Sequence, residues 1–317
     1  MISLGIDTSN YTTSVALYDS KTGQARQRQQ LLPVSAGEKG LRQSEAVFAH
    51  LKQLPGLLED LMKGAPFPDR VGVSVRPRDV QGSYMPCFLA GETIARAISA
   101  TGKIPVFGFS HQAGHIAAAL YGAQSLALAK TPFLAFHASG GTTECLLVRP
   151  GETRPFDVEL LGGTLDLSAG QVIDRVGVLL GLAFPAGPHL EALAKGTAHT
   201  LPGKPALKGG NCCLSGLENQ SASLIGQGRP PADIAAFCQR MVGETILGMS
   251  KYAAAEYPGL PFVFAGGVMS NETIHEMVAG QIEGAKFAPA RLSADNAVGP
   301  AILCQMEEAG SYVDHHR

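Results

Sequence analysis

The chain has no tryptophan, little charge and no long apolar run, and each lack removes a class of protein. Only 16% of its 317 residues are charged, against 45% that are hydrophobic. That balance supplies a sizeable core and excludes a disordered, collagen-like or coiled-coil chain. No stretch approaches the roughly 18 consecutive apolar residues of a membrane-spanning helix. Met1 runs straight into a strand-like segment with no basic leader and apolar core, so a cytoplasmic protein is expected, neither secreted nor imported. The 25 basic and 27 acidic residues leave a net charge of −2, without the basic stripe of a stand-alone nucleic-acid binder. Any contact with nucleic acid has to be local or shared with a partner. Cysteines are few: Cys87, Cys145, Cys212, Cys213, Cys238 and Cys304 form no Cys-x-x-Cys pair, and the adjacent Cys212 and Cys213 suit no ordinary disulfide. Reduced thiols acting as small core hydrophobes are expected. No Walker A sequence and no Gly-x-Gly-x-x-Gly after a strand is present, which argues against a P-loop enzyme or a dinucleotide domain.

Glycine is what the chain has in excess: 38 residues, about 12% against a usual figure near 7%. Four Gly-Gly doublets begin at positions 140, 162, 209 and 266. Many turns must therefore bring backbone close to something. The length suits two domains of about 150 residues. An apolar run at Ile2–Ile6, a small polar turn and a second run at Ser14–Leu17 read as a β-hairpin. A second copy runs from Phe133–Phe136 through His137-Ala-Ser-Gly-Gly-Thr-Thr143 to Glu144–Val148. Ser9 matches Ser139, and Thr12-Thr13 matches Thr142-Thr143, at a constant offset of 130 (139−9, 142−12). The periodicity further predicts helices near 43–63, 88–100, 171–181 and 231–256 and a last helix from about 295. Strands are expected at 71–75, 105–109, 261–265 and 286–288, and a loop over 201–216. Alternating strands and helices make this an α/β protein of two like lobes, 1–130 and 131–317.

His111 and His115 stand at i and i+4, the spacing at which two imidazoles on one helix face can share a metal ion. A zinc protease needs Glu directly after the first His, and Gln112 stands there, so that motif fails and a metallopeptidase is a poor third reading. Asp295 at a helix start is a third-ligand candidate, with a plain N-cap as the alternative. The turns Ser139-Gly140-Gly141 and Gly266-Gly267 can present backbone N–H groups to phosphate. Asp7 and Asp174 occupy cleft-like positions, and Asn271 can read a ribose or base edge or cap a helix. Lys195, Lys204 and Lys208 fall in a loop-rich stretch that can touch a polyanion or be simply solvated.

In order along the chain stand Gly5-Ile-Asp-Thr-Ser9, His111-x3-His115, Ser139-Gly-Gly141, Leu165-Asp166-x2-Ala-Gly170, Asp174, Leu180-Gly-Leu182, Pro185-x-Gly-Pro188, Ala265-Gly-Gly-Val268, Asn271 and Asp295-Asn296. This set resembles the glycoprotease-like family of tRNA threonylcarbamoyladenosine synthases over nearly the whole chain. The resemblance implies the two-lobed actin-like ATPase fold, each lobe opening with a β-hairpin. It implies an acyltransferase that moves threonylcarbamoyl from its AMP adenylate to the adenosine beside the anticodon. It further implies one divalent metal ion, iron or zinc, on His111, His115 and Asp295. The adenylate would be held by His137, Ala138, Ser139, Gly140, Gly141, Asp174, Gly187, Glu191 and Asn271, with Asp7 and Ser139 as candidates for a catalytic part. The implied partners are tRNA, a related metal-free subunit and a small ATPase; a homodimer is also compatible.

The chain departs from the family's pattern where charge is expected. Asn10, Tyr11 and Thr12 replace Cys-Asp-Glu; Ala113 replaces a Glu between the histidines, and Thr142 a His after the glycine pair. Leu167 replaces the second Asp of a pair, and Gln171 a Glu. The alternative function is therefore a catalytically diverged paralog that binds nucleotide and metal as a scaffold or regulator.

Overall fold

The computed structural model describes residues 1–9, 11–33, 42–292 and 295–307. They form two compact units. Unit 1 comprises Met1–Ala129, Pro150–Asp157 and the described residues from Leu292 on; unit 2 comprises Lys130–Arg149 and Val158–Arg291. The sequence reading keeps 131–317, Asp295 included, in one lobe, and here the structure corrects it. The last described helix packs on strands and a helix of unit 1, so residues 298–306 return to the first strands.

Unit 1 opens with β1 (Ile2–Asp7), β2 (Thr12–Asp19) and β3 (Gln24–Leu31), then α1 (Gln43–Met62), β4 (Arg70–Arg76), α2 (Phe88–Gly102), β5 (Val106–Ser110) and α3 (His111–Gly122). Its sheet order is β3-β2-β1-β4-β5, with β1 antiparallel to β2 and parallel to β4. The period-2 alternation of strands sorts its residues onto two faces. Leu4, Ile6, Val71 and Val73 join Leu54 and Leu61 of α1 and Ala90 and Ala95 of α2 in one hydrophobic core. The intervening positions, Ser3, Gly5 and Asp7 of β1 and Arg70, Gly72 and Ser74 of β4, are small or polar and face the other way. Against that face lie α3 and the last helix, α9 (Val298–Met306). A Cβ on Gly5 would collide with the Ala297 carbonyl, on Gly72 with the Pro300 carbonyl, and on Gly299 with the Gly114 carbonyl of α3. Glycine is thus required for backbone to meet backbone.

Unit 2 repeats the plan with β6 (Phe133–Ala138), β7 (Thr143–Pro150) and β8 (Phe156–Gly163), the turn between the last two belonging to unit 1. After them come α4 (Ala169–Leu179), α5 (Gly187–Ala194), the short strands β9 (Ala206–Lys208) and β10 (Asn211–Cys213), α6 (Ser215–Gly226) and α7 (Pro231–Glu256). The unit closes with β11 (Phe262–Ala265), α8 (Glu272–Ala279) and β12 (Lys286–Phe287). The sheet order β12-β11-β6-β7-β8 mirrors the first. Register carries the repeat to the residue: Asp7 opposes Ser14, and His137 opposes Glu144, each 130 positions on (137−7, 144−14).

The structure differs from the sequence expectation in several places. β3, Gln-Ala-Arg-Gln-Arg-Gln-Gln-Leu, is an edge strand with mostly exposed side chains, so it shows no apolar alternation. β9 and β10 form a two-stranded sheet inside the stretch expected as loop, and α6 follows them. The last helix starts at Val298, three residues beyond Asp295.

The glycine contacts set a stability prediction. Gly5→Ala and Gly299→Ala should each destabilise the protein by about 2–3 kcal/mol, as overpacking does. Gly56→Ala, in α1 with nothing within 4 Å of its Cβ, should stabilise it by roughly 0.5–1 kcal/mol. Urea unfolding midpoints check both signs.

Candidate metal centre and glycine turns

In unit 1, α3 starts where β5 ends. Ser110 is its N-cap, its hydroxyl accepting the Ala113 N–H at 3.2 Å. His111 therefore opens the helix, and His115 stands one turn later on the same face, ring centroids 4.2 Å apart. Asp295 Oδ1 lies 3.4 Å from His111 Nε2 and 3.5 Å from His115 Nε2. The N-cap reading of Asp295 falls, because its neighbour does that work: Asn296 Oδ1 accepts the N–H groups of Val298 at 3.1 Å and Gly299 at 3.3 Å. The Asp295 carboxylate is left to face the histidines.

Asp7, at the end of β1, completes the cluster from behind. Its Oδ2 lies 2.8 Å from His111 Nδ1 and accepts the Ser74 hydroxyl at 2.7 Å; its Oδ1 accepts the Ser9 N–H at 2.8 Å. Burial opposes protonation of His111, but the carboxylates of Asp7 and Asp295 overcome it and push the ring up to about 10. Burial likewise opposes ionisation of Asp295, yet hydrogen bonds and charge from His111 and His115 hold it well below the usual carboxylate range. Asp7 is lowered in the same way, the His111 charge and hydrogen bond outweighing its burial.

One ligand atom each from His111, His115 and Asp295 lies within 4.8 Å of the others. Two ligands about 2.0–2.1 Å from one ion at a tetrahedral angle lie about 3.4 Å apart, so the carboxylate-to-imidazole spacings fit a shared ion. Two imidazoles with one carboxylate suit zinc or iron better than magnesium or calcium.

In unit 2 the loop Ser139–Thr142 joins β6 to β7. Ser139 Oγ accepts from the N–H groups of Gly141 at 3.4 Å and Thr142 at 3.2 Å, so this hydroxyl shapes the turn. The start of α4 braces the loop: Gly170 N–H donates to the Ser139 carbonyl at 3.0 Å, and Ser168 Oγ to the Gly140 carbonyl at 2.7 Å. Gly266, with φ of 106°, lies where a Cβ would strike the Ala138 carbonyl, so the second glycine turn abuts the first. Gly140, Gly141 and Gly267 differ in kind: none has positive φ, and among the described residues nothing lies within 4 Å of a Cβ there. No internal contact requires glycine at these three. The doublets at 162 and 209 pack on each other instead, a Cβ on Gly162 meeting the Gly210 carbonyl.

The remaining candidates lie in the same unit, and three of them accept hydrogen bonds from the backbone at helix starts. Asp174 Oδ1 accepts the Ala186 N–H at 2.7 Å and fixes the start of α5 at Gly187. Glu191 Oε1 accepts the Glu272 N–H at 2.9 Å and ties α5 to α8. Asn271 caps α8 through Oδ1, which accepts from Ile274 at 3.0 Å, leaving its amide NH2 for another partner. His137 and Ala138 end β6 directly before the loop. Lys195 pairs with Glu272, while Lys204 and Lys208 are exposed. Sequence reasoning missed Ser74 and Ser168, and it noted Asn296 only as part of the Asp295-Asn296 motif; Ser74 stands on the polar alternation of Val71–Val75.

The model of the family described as tRNA N6-adenosine threonylcarbamoyltransferase, TsaD, matches residues 34–302. The chain belongs to this family. The member from Prochlorococcus marinus (strain MIT 9303) is 32% identical over 279 residues, covering 80% of this chain and 75% of that protein. The member from Granulibacter bethesdensis is also 32% identical, covering 93% and 85%. Among solved structures, full-length HypF in its phosphate- and nucleotide-bound form gives a TM-score of 0.59 at 12% identity. That match takes in 98% of this chain and 56% of HypF. A ROK family glucokinase from Streptomyces griseus, solved with glucose and AMPPNP, gives 0.53 at 13% identity, covering 97% and 100%. The fold is that of the actin-like ATPases.

Within the family, two of the neutral departures, Gln171 and Leu167, have structural work. Gln171 completes a capping box on α4, its Oε1 accepting the Ser168 N–H at 3.0 Å, a task Gln performs as Glu does. Leu167 packs against the unit 2 core. The retained Asp166 accepts the Leu214 N–H at 2.7 Å and holds the entry to α6. Ala113 is buried in the first turn of α3. Asn10 lies outside the described residues.

In the metal-free protein His111 should titrate near 10 rather than at its ordinary 6.5, and Asp295→Asn should lower that midpoint, as NMR of the ring carbon protons will show. A proton held more tightly in the folded state stabilises it below the unfolded pKa. The urea midpoint of the metal-free protein should therefore fall as pH rises from 6.5 towards 10.

Proposed function

We propose that the protein transfers a threonylcarbamoyl group from its AMP adenylate to N6 of the adenosine beside the anticodon of tRNA. The observation that carries this reading is the family match over residues 34–302 together with the His111–His115–Asp295 cluster. The glycine turns add to it, because Gly140, Gly141 and Gly267 leave open space where a side chain would stand, and backbone N–H groups there would be open to close approach by phosphate.

His111, His115 and Asp295 would hold one divalent ion, iron or zinc. Such an ion supplies Lewis-acid polarisation of an acyl or phosphoryl oxygen. The chain's own residues do the rest. The loop at Ser139–Gly141, shaped by the Ser139 hydroxyl and braced by Gly170, binds the phosphate of the adenylate through backbone N–H groups. His137 and Ala138 set the start of that loop. Asp174 and Glu191 fix the starts of α5 and α8, so that Gly187 and the Asn271 amide hold the adenosine. Because Ser139 Oγ already accepts two N–H groups, its part is to orient the loop rather than to attack substrate.

tRNA is the macromolecular substrate on this reading. With a net charge of −2, the chain would share its contacts with a related metal-free subunit and a small ATPase. No described helix is long and apolar enough to cross a membrane; on this reading the protein works on tRNA in the cytoplasm. The family match over residues 34–302 favours the transferase over the scaffold alternative.

Incubation with labelled threonine, bicarbonate, ATP, the adenylate-forming enzyme, the partner proteins and unmodified tRNA should label the tRNA. Absence of label with all components present sinks the reading. His115→Ala and Asp295→Ala should lower the rate by at least a hundredfold while the fold persists. Gly140→Val should raise the KM for adenylate at least tenfold and leave the melting temperature unchanged. Gly266→Ala, strained at φ of 106°, should instead lower the melting temperature. Zinc binding at pH 7 should release about one proton per ion, because His111 must give up its proton to ligate. Calorimetry in buffers of different ionisation enthalpy measures that number.

A further inference from the structure

We infer that Asp7 is a positioning residue for the metal centre: it holds the proton of His111 on Nδ1 and so dedicates Nε2 to the ion. The inference rests on the proposed metal site and assigns a role to a side chain outside the ligand set. Three elements converge on this carboxylate. β1 supplies Asp7 itself, β4 supplies the Ser74 hydroxyl at 2.7 Å, and α3 supplies His111 Nδ1 at 2.8 Å. The Ser9 N–H at 2.8 Å fixes the other oxygen. Both oxygens are thus fixed, and the residue is 1% exposed, so the carboxylate has no freedom to turn towards the ion.

The consequence for His111 follows from imidazole chemistry. A ring has two nitrogens, and a neutral ring carries its proton on only one. A buried carboxylate accepts only, so it selects the tautomer protonated at Nδ1. The opposite nitrogen, Nε2, then presents its lone pair to the side where Asp295 Oδ1 stands 3.4 Å away. Asp7 also raises the basicity of that lone pair, as an outer carboxylate does for a ligating histidine. It sits on the polar face of the first sheet, where a one-residue slip in register would turn it towards α1 and α2.

The test uses the full chain stripped of metal, with Zn2+ as probe and a chromophoric chelator as competitor. Asp7→Asn should weaken Zn2+ binding by about 10- to 100-fold. Nitrogen NMR of the zinc-loaded wild type should show His111 protonated at Nδ1 and ligated at Nε2. Ser74→Ala, which removes one bond to Asp7 and leaves the ligands intact, should weaken binding several-fold with the melting temperature of the metal-free protein little changed. It keeps the test open if Asp7→Asn does not fold. Zn2+ affinity within twofold of wild type in the folded variants, or ligation through Nδ1, overturns the inference and leaves the metal site standing. If the wild type binds Zn2+ no more tightly than His115→Ala, the metal site itself fails and Asp7 loses its role with it.

Discussion

The close approach of α9 to the polar face of the first sheet is the constraint on which the rest of unit 1 depends. Gly5 and Gly72 on the strands and Gly299 on α9 remove the Cβ atoms that would hold the backbones apart. Gly114 of α3 meets Pro300 across the same seam. The residues just before α9 are carried in at that distance. Asn296 caps the helix and Asp295, beside it, is set against the two histidines. A lift of about 1 Å is of the size that costs a preorganised site most of its function, so packing and chemistry are coupled through these glycines.

Unit 2 uses glycine in two distinct ways. Gly162, Gly170, Gly210 and Gly266 stand where backbone or a neighbouring loop leaves no room, and they build the scaffold. Gly140, Gly141 and Gly267 stand where, among the described residues, there is room for a side chain and no positive φ, and they lie in the two turns assigned to the proposed nucleotide site. Composition alone merges the two groups into one excess. Contacts separate them, and only the second group belongs to the proposed nucleotide site.

Charge at the centre of unit 1 is partly offset locally. A cationic His111 between Asp7 and Asp295 is the metal-free solution to burying two carboxylates side by side. An ion at the proposed site would relieve the same field and would compete with that proton. The surrounding neutral residues do not upset that balance, since Ala113 is buried and adds no further charge.

The sequence by itself determined the α/β class, the duplicated hairpin and its offset of 130, the two histidines one turn apart and the order of the family's motifs. These are local or periodic features, and short-range geometry is legible in short-range pattern. It did not show that residues 298–306 return to the first strands, because nothing local to residues 292–307 marks their partner 290 residues away as β1. Nor could it decide between cap and ligand for Asp295, since both readings need the same residue at a helix start. Tertiary structure takes Asp295 out of the cap, since Asn296 accepts the first helical N–H groups, and sets its carboxylate 3.4 Å and 3.5 Å from the two histidines. It also gave Asp7 its place behind His111, a contact across 104 positions that depends on β1, β4 and α3 meeting at one edge of a sheet.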